Sequence, residues 1–126
     1  MLINLTNHPS ANWNEEQRAE AVRQWGTIED YSFPAVGAQW DNEQMKTRAE
    51  AIVNEIAARN PDAVLCQGEM CMTFLLTAML QKKGLPVYAA TSERRAQEEL
   101  LPDGSIRKSV VFCFVRFRQY AALSEI

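Results

Sequence analysis

The chain has a single histidine, His8, only three cysteines, and five glycines and five prolines in 126 residues. Structural zinc takes about four Cys or His ligands at close spacing. Cys66, Cys71 and one distant histidine do not supply that set. No metal is therefore expected, and these cysteines are expected to be small core residues. An odd cysteine count also fits a reducing compartment and not a disulfide framework. The Met1 segment lacks a basic n-region, and no window approaches the roughly 18 apolar residues that span a bilayer. A cytoplasmic chain with no membrane partner is expected. GxGxxG and Walker sequences are both missing, which argues against a dinucleotide cofactor and against ATP hydrolysis. No cofactor is expected.

What is present is ordinary for a folded domain: 47% hydrophobic and 23% charged residues, at a length that predicts one domain over 1–126. The net charge of -3 is unevenly spread. Residues 1–81 hold 5 basic and 11 acidic side chains, whereas residues 82–118 hold 8 basic and 4 acidic ones. An acidic total argues against long nucleic acid as a partner. It leaves room for a confined basic pocket that takes a small anion.

The order of elements is an alternation. MLINLT (1–6) predicts a first, central strand that ends in the turn cluster Asn7-His8-Pro9-Ser10. Asn14 with Gln17 predicts a helix cap, followed by a face of Ala21, Val22 and Trp25 and a stop at Gly26. Residues 27–33 predict a second strand. Asp41 and Gln44 repeat the cap, and Met45, Ala49, Ile52, Val53 and Ile56 recur at helical spacing. AVLC (63–66) predicts a strand buried on both faces, Gln67-Gly68-Glu69 a turn, 71–83 an apolar helix ended by Gly84, and 86–91 a fourth strand. Pro102-Asp103-Gly104-Ser105 predicts a hairpin turn, and 107–118 a long strand. The fold class is α/β, a mostly parallel sheet with helices on both faces and a C-terminal β-hairpin.

Open parallel sheets bind ligands beyond the carboxyl ends of their strands, where strand order reverses. Three segments are expected there: Asn7 to Ser10, Gln67 to Met70, and Thr91-Ser92-Glu93-Arg94-Arg95, the last as a loop. Gly68 permits close backbone approach, and the helix behind it offers N–H groups to a phosphate, with Thr73 adding a hydroxyl. The alternative is a plain strand-to-helix turn. Glu69 accepts a hydrogen bond from a ribose or adenine, or serves as a helix N-terminal acid. His8 is the candidate acid–base group, against a merely solvated side chain. Arg94 and Arg95, with Arg107 and Lys108, suit phosphate, or line a solvated hairpin stem. Arg116 and Arg118 share a strand face; among Phe112, Phe114 and Phe117 they stack on a base, or protect an edge.

These segments resemble the small CARF-like accessory proteins of type III CRISPR loci, the Csx group that includes ring nucleases. The shared stretches are Asn7-His8-Pro9, Val64 to Glu69, Val87 to Arg94, Asp103-Gly104, and Phe114 to Arg118. The resemblance covers most of the chain. It implies a Rossmann-like homodimer that binds cyclic oligoadenylate. It implies that Asn7, His8, Gln67, Gly68, Glu69, Thr91, Ser92 and Arg94 line the site; Pro9, Ser10, Met70, Thr73 and Glu93 are expected beside them from their place at the same strand ends. Members that cleave the ring do so without metal, by attack of a ribose 2′-hydroxyl on the adjacent phosphate. The resemblance does not fix the catalytic residue, and the residues themselves offer Arg94 or Arg95 to offset charge and His8 to handle a proton. The alternatives are a non-catalytic sponge of the same fold and a protein-binding accessory with no nucleotide ligand.

Overall fold

Strand β1 (Leu2–Thr6) is buried along its whole length. It lies between β2 (Ile28–Ser32) and β3 (Ala63–Gln67), parallel to both, in a computed structural model that describes residues 1–126. Two long antiparallel strands, β4 (Val87–Leu100) and β5 (Ile106–Gln119), complete the sheet in the order β2-β1-β3-β4-β5. This is a doubly wound order, and its direction of growth reverses between β1 and β3. The expected α/β class, with a C-terminal hairpin, is what the chain adopts.

Helix α1 (Glu15–Trp25) covers one face of the sheet, and α2 (Asn42–Ala58) and α3 (Met70–Lys82) cover the other. Strand alternation divides the core accordingly. Ile3, Leu5, Val64 and Cys66 face α2 and α3, while Leu2, Ala63 and Leu65 face α1. The five apolar residues predicted for α2 are its buried residues, and Asp41 and Gln44 form a reciprocal capping box at 2.9 Å in each direction. Helix α1 is capped by Asn14 as expected, yet only Ala21 is fully buried and Val22 faces solvent. Its contact with the sheet is instead aromatic. Trp25 meets Tyr88 and Phe117 edge-on, with ring centroids 5.1 and 5.2 Å apart. One polar helix against a wide sheet leaves part of that face open.

The expected loop at 91–95 does not exist. Strand β4 pairs with β3 only through Val87 and Tyr88, then continues to Leu100 against β5. Residues 92–114 therefore form a two-stranded arm beyond the carboxyl ends of the parallel strands. The arm closes at Leu101–Ser105, where Gly104 takes a φ of +86° and Asp103 accepts from the Ser105 N–H at 2.9 Å. No helix is long and apolar enough to cross a membrane.

Candidate functional site

The loop after β1 is held by buried polar groups that strand alternation points toward α1. Asn4 Nδ2 donates to the His8 carbonyl at 2.8 Å and to Asp30 Oδ1 at 2.9 Å. Thr6 Oγ1 donates to Asn4 Oδ1 at 2.8 Å and accepts from the His8 N–H at 3.1 Å. Trp13 Nε1 also donates to the His8 carbonyl, at 3.1 Å. Asp30 accepts from Ser10 N and Ser10 Oγ, both at 3.1 Å. Arg18 donates to the carbonyls of Ser10, Ala11 and Trp13 at 3.0–3.1 Å. The backbone of the loop is thus fixed from below, while the Asn7 and His8 side chains remain exposed at the sheet's end. Asn4, Asp30, Trp13 and Arg18 escaped the sequence reading. A polar residue inside an otherwise apolar strand, as Asn4 is, was the available signal.

Gln67, the last residue of β3, extends the ladder toward β4 with its side chain. Its Oε1 accepts from Ala90 N–H at 2.9 Å and its Nε2 donates to Ala90 carbonyl at 3.3 Å. This amide substitutes for the backbone pairing that β3 and β4 lose past Tyr88. Gly68 does allow a close approach, but by Phe33: a Cβ there would lie 2.5 Å from the Phe33 ring. Glu69 caps α3, accepting from the N–H groups of Cys71 at 3.0 Å and Met72 at 2.8 Å. Those bonds, Met72 first, hold its carboxyl below the usual range. The helix N-terminus expected to receive a phosphate is already occupied by this carboxylate. Of the two roles considered for Glu69, the helix acid is the one its bonds describe.

The remaining candidates fall in separate places. Thr91 Oγ1 donates to the Arg116 carbonyl at 2.9 Å, at the β-bulge between Thr91 and Ser92. Glu93 and Arg95 pair with each other on the arm at 2.5 Å, and Arg94 lies over the Phe112 ring at 5.8 Å. Neither arginine lines the sheet-end cleft. The basic third is also less basic in space than in sequence. Residues 92–114 hold four basic and four acidic side chains, and Arg107 pairs with Glu99 at 2.5 Å. Arg116 and Arg118 alternate with Phe117, so they point to the opposite face from it. Cys71 is exposed, contrary to expectation, whereas Cys66 is buried. Burial pushes the Cys66 thiol up to about 12, which leaves it inert as a nucleophile.

Two hollows flank the Gln67-Gly68 turn. One, of about 570 Å³, is an apolar groove between α3 and the C-terminal residues, and takes in Met70, Thr73, Phe74 and Tyr120. The other, of about 450 Å³, opens at the β1–β3 reversal on the α1 side. Asn7, His8, Gln67, Gly68 and Ser92 meet there, joined by Asn12, Asn14 and Gln17 above Trp13 and Leu65. Pro9 borders a smaller hollow with Asp30 and Phe33. The reversal-point cleft is the candidate site. It is smaller than the groove, but it combines an apolar floor with converging hydrogen-bonding groups. Its lining carries no carboxylate, lysine or arginine, and His8 is its one titratable side chain. Such a lining suits the edges of bases and sugars better than it suits bare phosphate.

The chain belongs to the family described as "Uncharacterized protein MJ1673 family", whose model matches residues 1–118 and so takes in both the cleft and the arm. No curated protein and no solved structure gives a match.

Proposed function

We propose that this protein is a CARF-like receptor for cyclic oligoadenylate, held in the cleft at the β1–β3 reversal. The observation that carries this reading is the lining itself. Neutral amide and hydroxyl side chains surround an aromatic and aliphatic floor, at the place where a doubly wound sheet takes its ligand. Adenine offers ring nitrogens and an amine to Asn and Gln side chains, and a flat face to Trp13. A ring of repeated nucleotides offers the same base and ribose edges to the cleft from each of its units.

Cleavage is the second half of the proposal. The ribose 2′-hydroxyl attacks the adjacent phosphorus, the bond to the 5′-oxygen breaks, and a 2′,3′-cyclic phosphate results. His8 takes the hydroxyl proton, water protonates the leaving 5′-oxygen so that it departs as a hydroxyl, and the cleft walls supply an in-line geometry. A specific observation favours the sponge of the same fold: Arg94 and Arg95 lie outside the cleft, so no cation of the same chain offsets the developing charge.

Two measurements on the purified chain test these readings. A ligand at 100 times its dissociation constant adds about 2.7 kcal/mol to stability. A rise in Tm with cyclic tri-, tetra- or hexa-adenylate is expected, and no rise with any of them overturns the receptor reading. Chromatography of the ring after incubation then decides the chemistry. Linear product that disappears in His8→Ala supports cleavage, and intact ring at stoichiometric protein supports the sponge.

A further inference from the structure

The β4–β5 arm carries an unexplained feature. Cross-strand partners share a face of a ribbon, so its pairs divide into two sets. Glu93–Cys113, Arg95–Val111, Gln97–Ser109 and Glu99–Arg107 form one face, and two ion pairs run along it. Ser92–Phe114, Arg94–Phe112, Ala96–Val110, Glu98–Lys108 and Leu100–Ile106 form the other. The second face continues from Phe117 through Phe114, whose rings lie 4.9 Å apart, out along the arm. Its apolar residues are bare: Leu100 is 75% exposed, Phe112 69%, Ile106 58% and Val110 51%. A lone two-stranded hairpin is marginal in water, and an exposed apolar sheet face marks an interaction surface.

We propose that this face binds the same face of a second copy of the chain. The two arms lie antiparallel about a two-fold axis at the Ala96–Val110 pair. The order of residues is self-complementary about that pair. Two positions toward the body lies Arg94, and two positions toward the tip lies Glu98. The two-fold therefore sets Arg94 against the partner's Glu98. On β5 it sets Phe112 against the partner's Lys108, a cation–π match, and Phe114 against the partner's Ile106. Ala96 at the axis is small enough for close approach. The arm's equal numbers of acidic and basic groups remove net repulsion. The same register brings the turn Leu101–Ser105 beside the partner's Ser92, at the rim of its cleft.

This inference does not rest on the nucleotide reading, and its test uses no ligand. Light scattering on the full chain is expected to give twice the 14.3 kDa of one copy. Val110→Asp alone and Val110→Lys alone are each expected to give monomers, because the axis brings like charges together. An equimolar mixture of the two is expected to return to dimer. Val110 lies outside the core, so circular dichroism of each variant is expected to match the parent. Ser109→Asp, on the other face of the arm, is expected to leave the dimer intact. A monomeric parent, a Val110→Asp dimer, or a mixture that stays monomeric would overturn the proposal.

Discussion

Strand β4 belongs to two regions that hold together differently. Its first residues, Val87 to Ala90, lie in the body, where β3 or the Gln67 amide pairs one edge and β5 the other. Its remainder, from Ser92, is paired with β5 alone and is exposed throughout. In the body, burial on both faces supplies the stability, as in β1, where all five residues are inside. In the arm the ladder and two exposed ion pairs do the local work, and exposed pairs contribute about 0–1 kcal/mol each. The same strand is therefore core at one end and free surface at the other. The cleft lies where the two regions join, at Ala90 and Ser92.

Substitutions sharpen this contrast. The largest expected effect is in the body: Ile52→Ala empties a fully buried site and is expected to cost about 2–5 kcal/mol in urea unfolding. Phe112→Ala in the arm, measured on dilute protein, is expected to stay within about 0.5 kcal/mol of the parent. Equal costs at the two sites would erase the distinction. Next comes Gly68→Ala, which drives a Cβ to 2.5 Å from the Phe33 ring and is expected to cost about 1–3 kcal/mol. Combined with Phe33→Ala, it is expected to cost less than the sum of the two single changes.

Gln67→Leu removes both bonds to Ala90. About 1 kcal/mol is expected to be lost, with faster amide exchange at Ala90. The smallest effect is expected at Glu69. Its carboxyl is held below the usual 4.5 by the Met72 and Cys71 N–H groups. A depressed folded value contributes stability that is present above the unfolded pKa and is lost as pH falls through the folded one. The Tm gap between parent and Glu69→Gln is therefore expected at pH 7 and is expected to close on acidification below 4.5. A gap that widens in acid would contradict the capping role.

The body was largely legible in the sequence because its signals are local and repeated. The helical spacing of Met45, Ala49, Ile52, Val53 and Ile56 matches the buried face of α2, and AVLC matches the buried run of β3. The arm was legible only at its turn, through Asp103-Gly104, and along the β-branched and aromatic run of β5. From Glu93 to Glu99, β4 is mostly charged, so it has no alternation of apolar residues to announce a strand. Only its pairing with β5 makes it one. The site was half legible. Glycine at 68 did signal a close approach, but its partner Phe33 is distant in sequence. Glu69 has one carboxylate and two sequence-compatible roles, and only the bonds to Cys71 and Met72 distinguish them. The positioning residues Asn4, Asp30 and Arg18 act on backbone groups across the fold, a long-range effect that no motif records.

Ligand is proposed to bind at the β1–β3 reversal and not in the groove beside α3. Amide hydrogen exchange with and without cyclic tetra-adenylate tests it most directly. The prediction is ligand-dependent protection at residues 7–14, at 67–68 and around Ser92, with no change along Phe74 to Gln81. Protection confined to the α3 groove, or no protection anywhere at saturating ring, would contradict it.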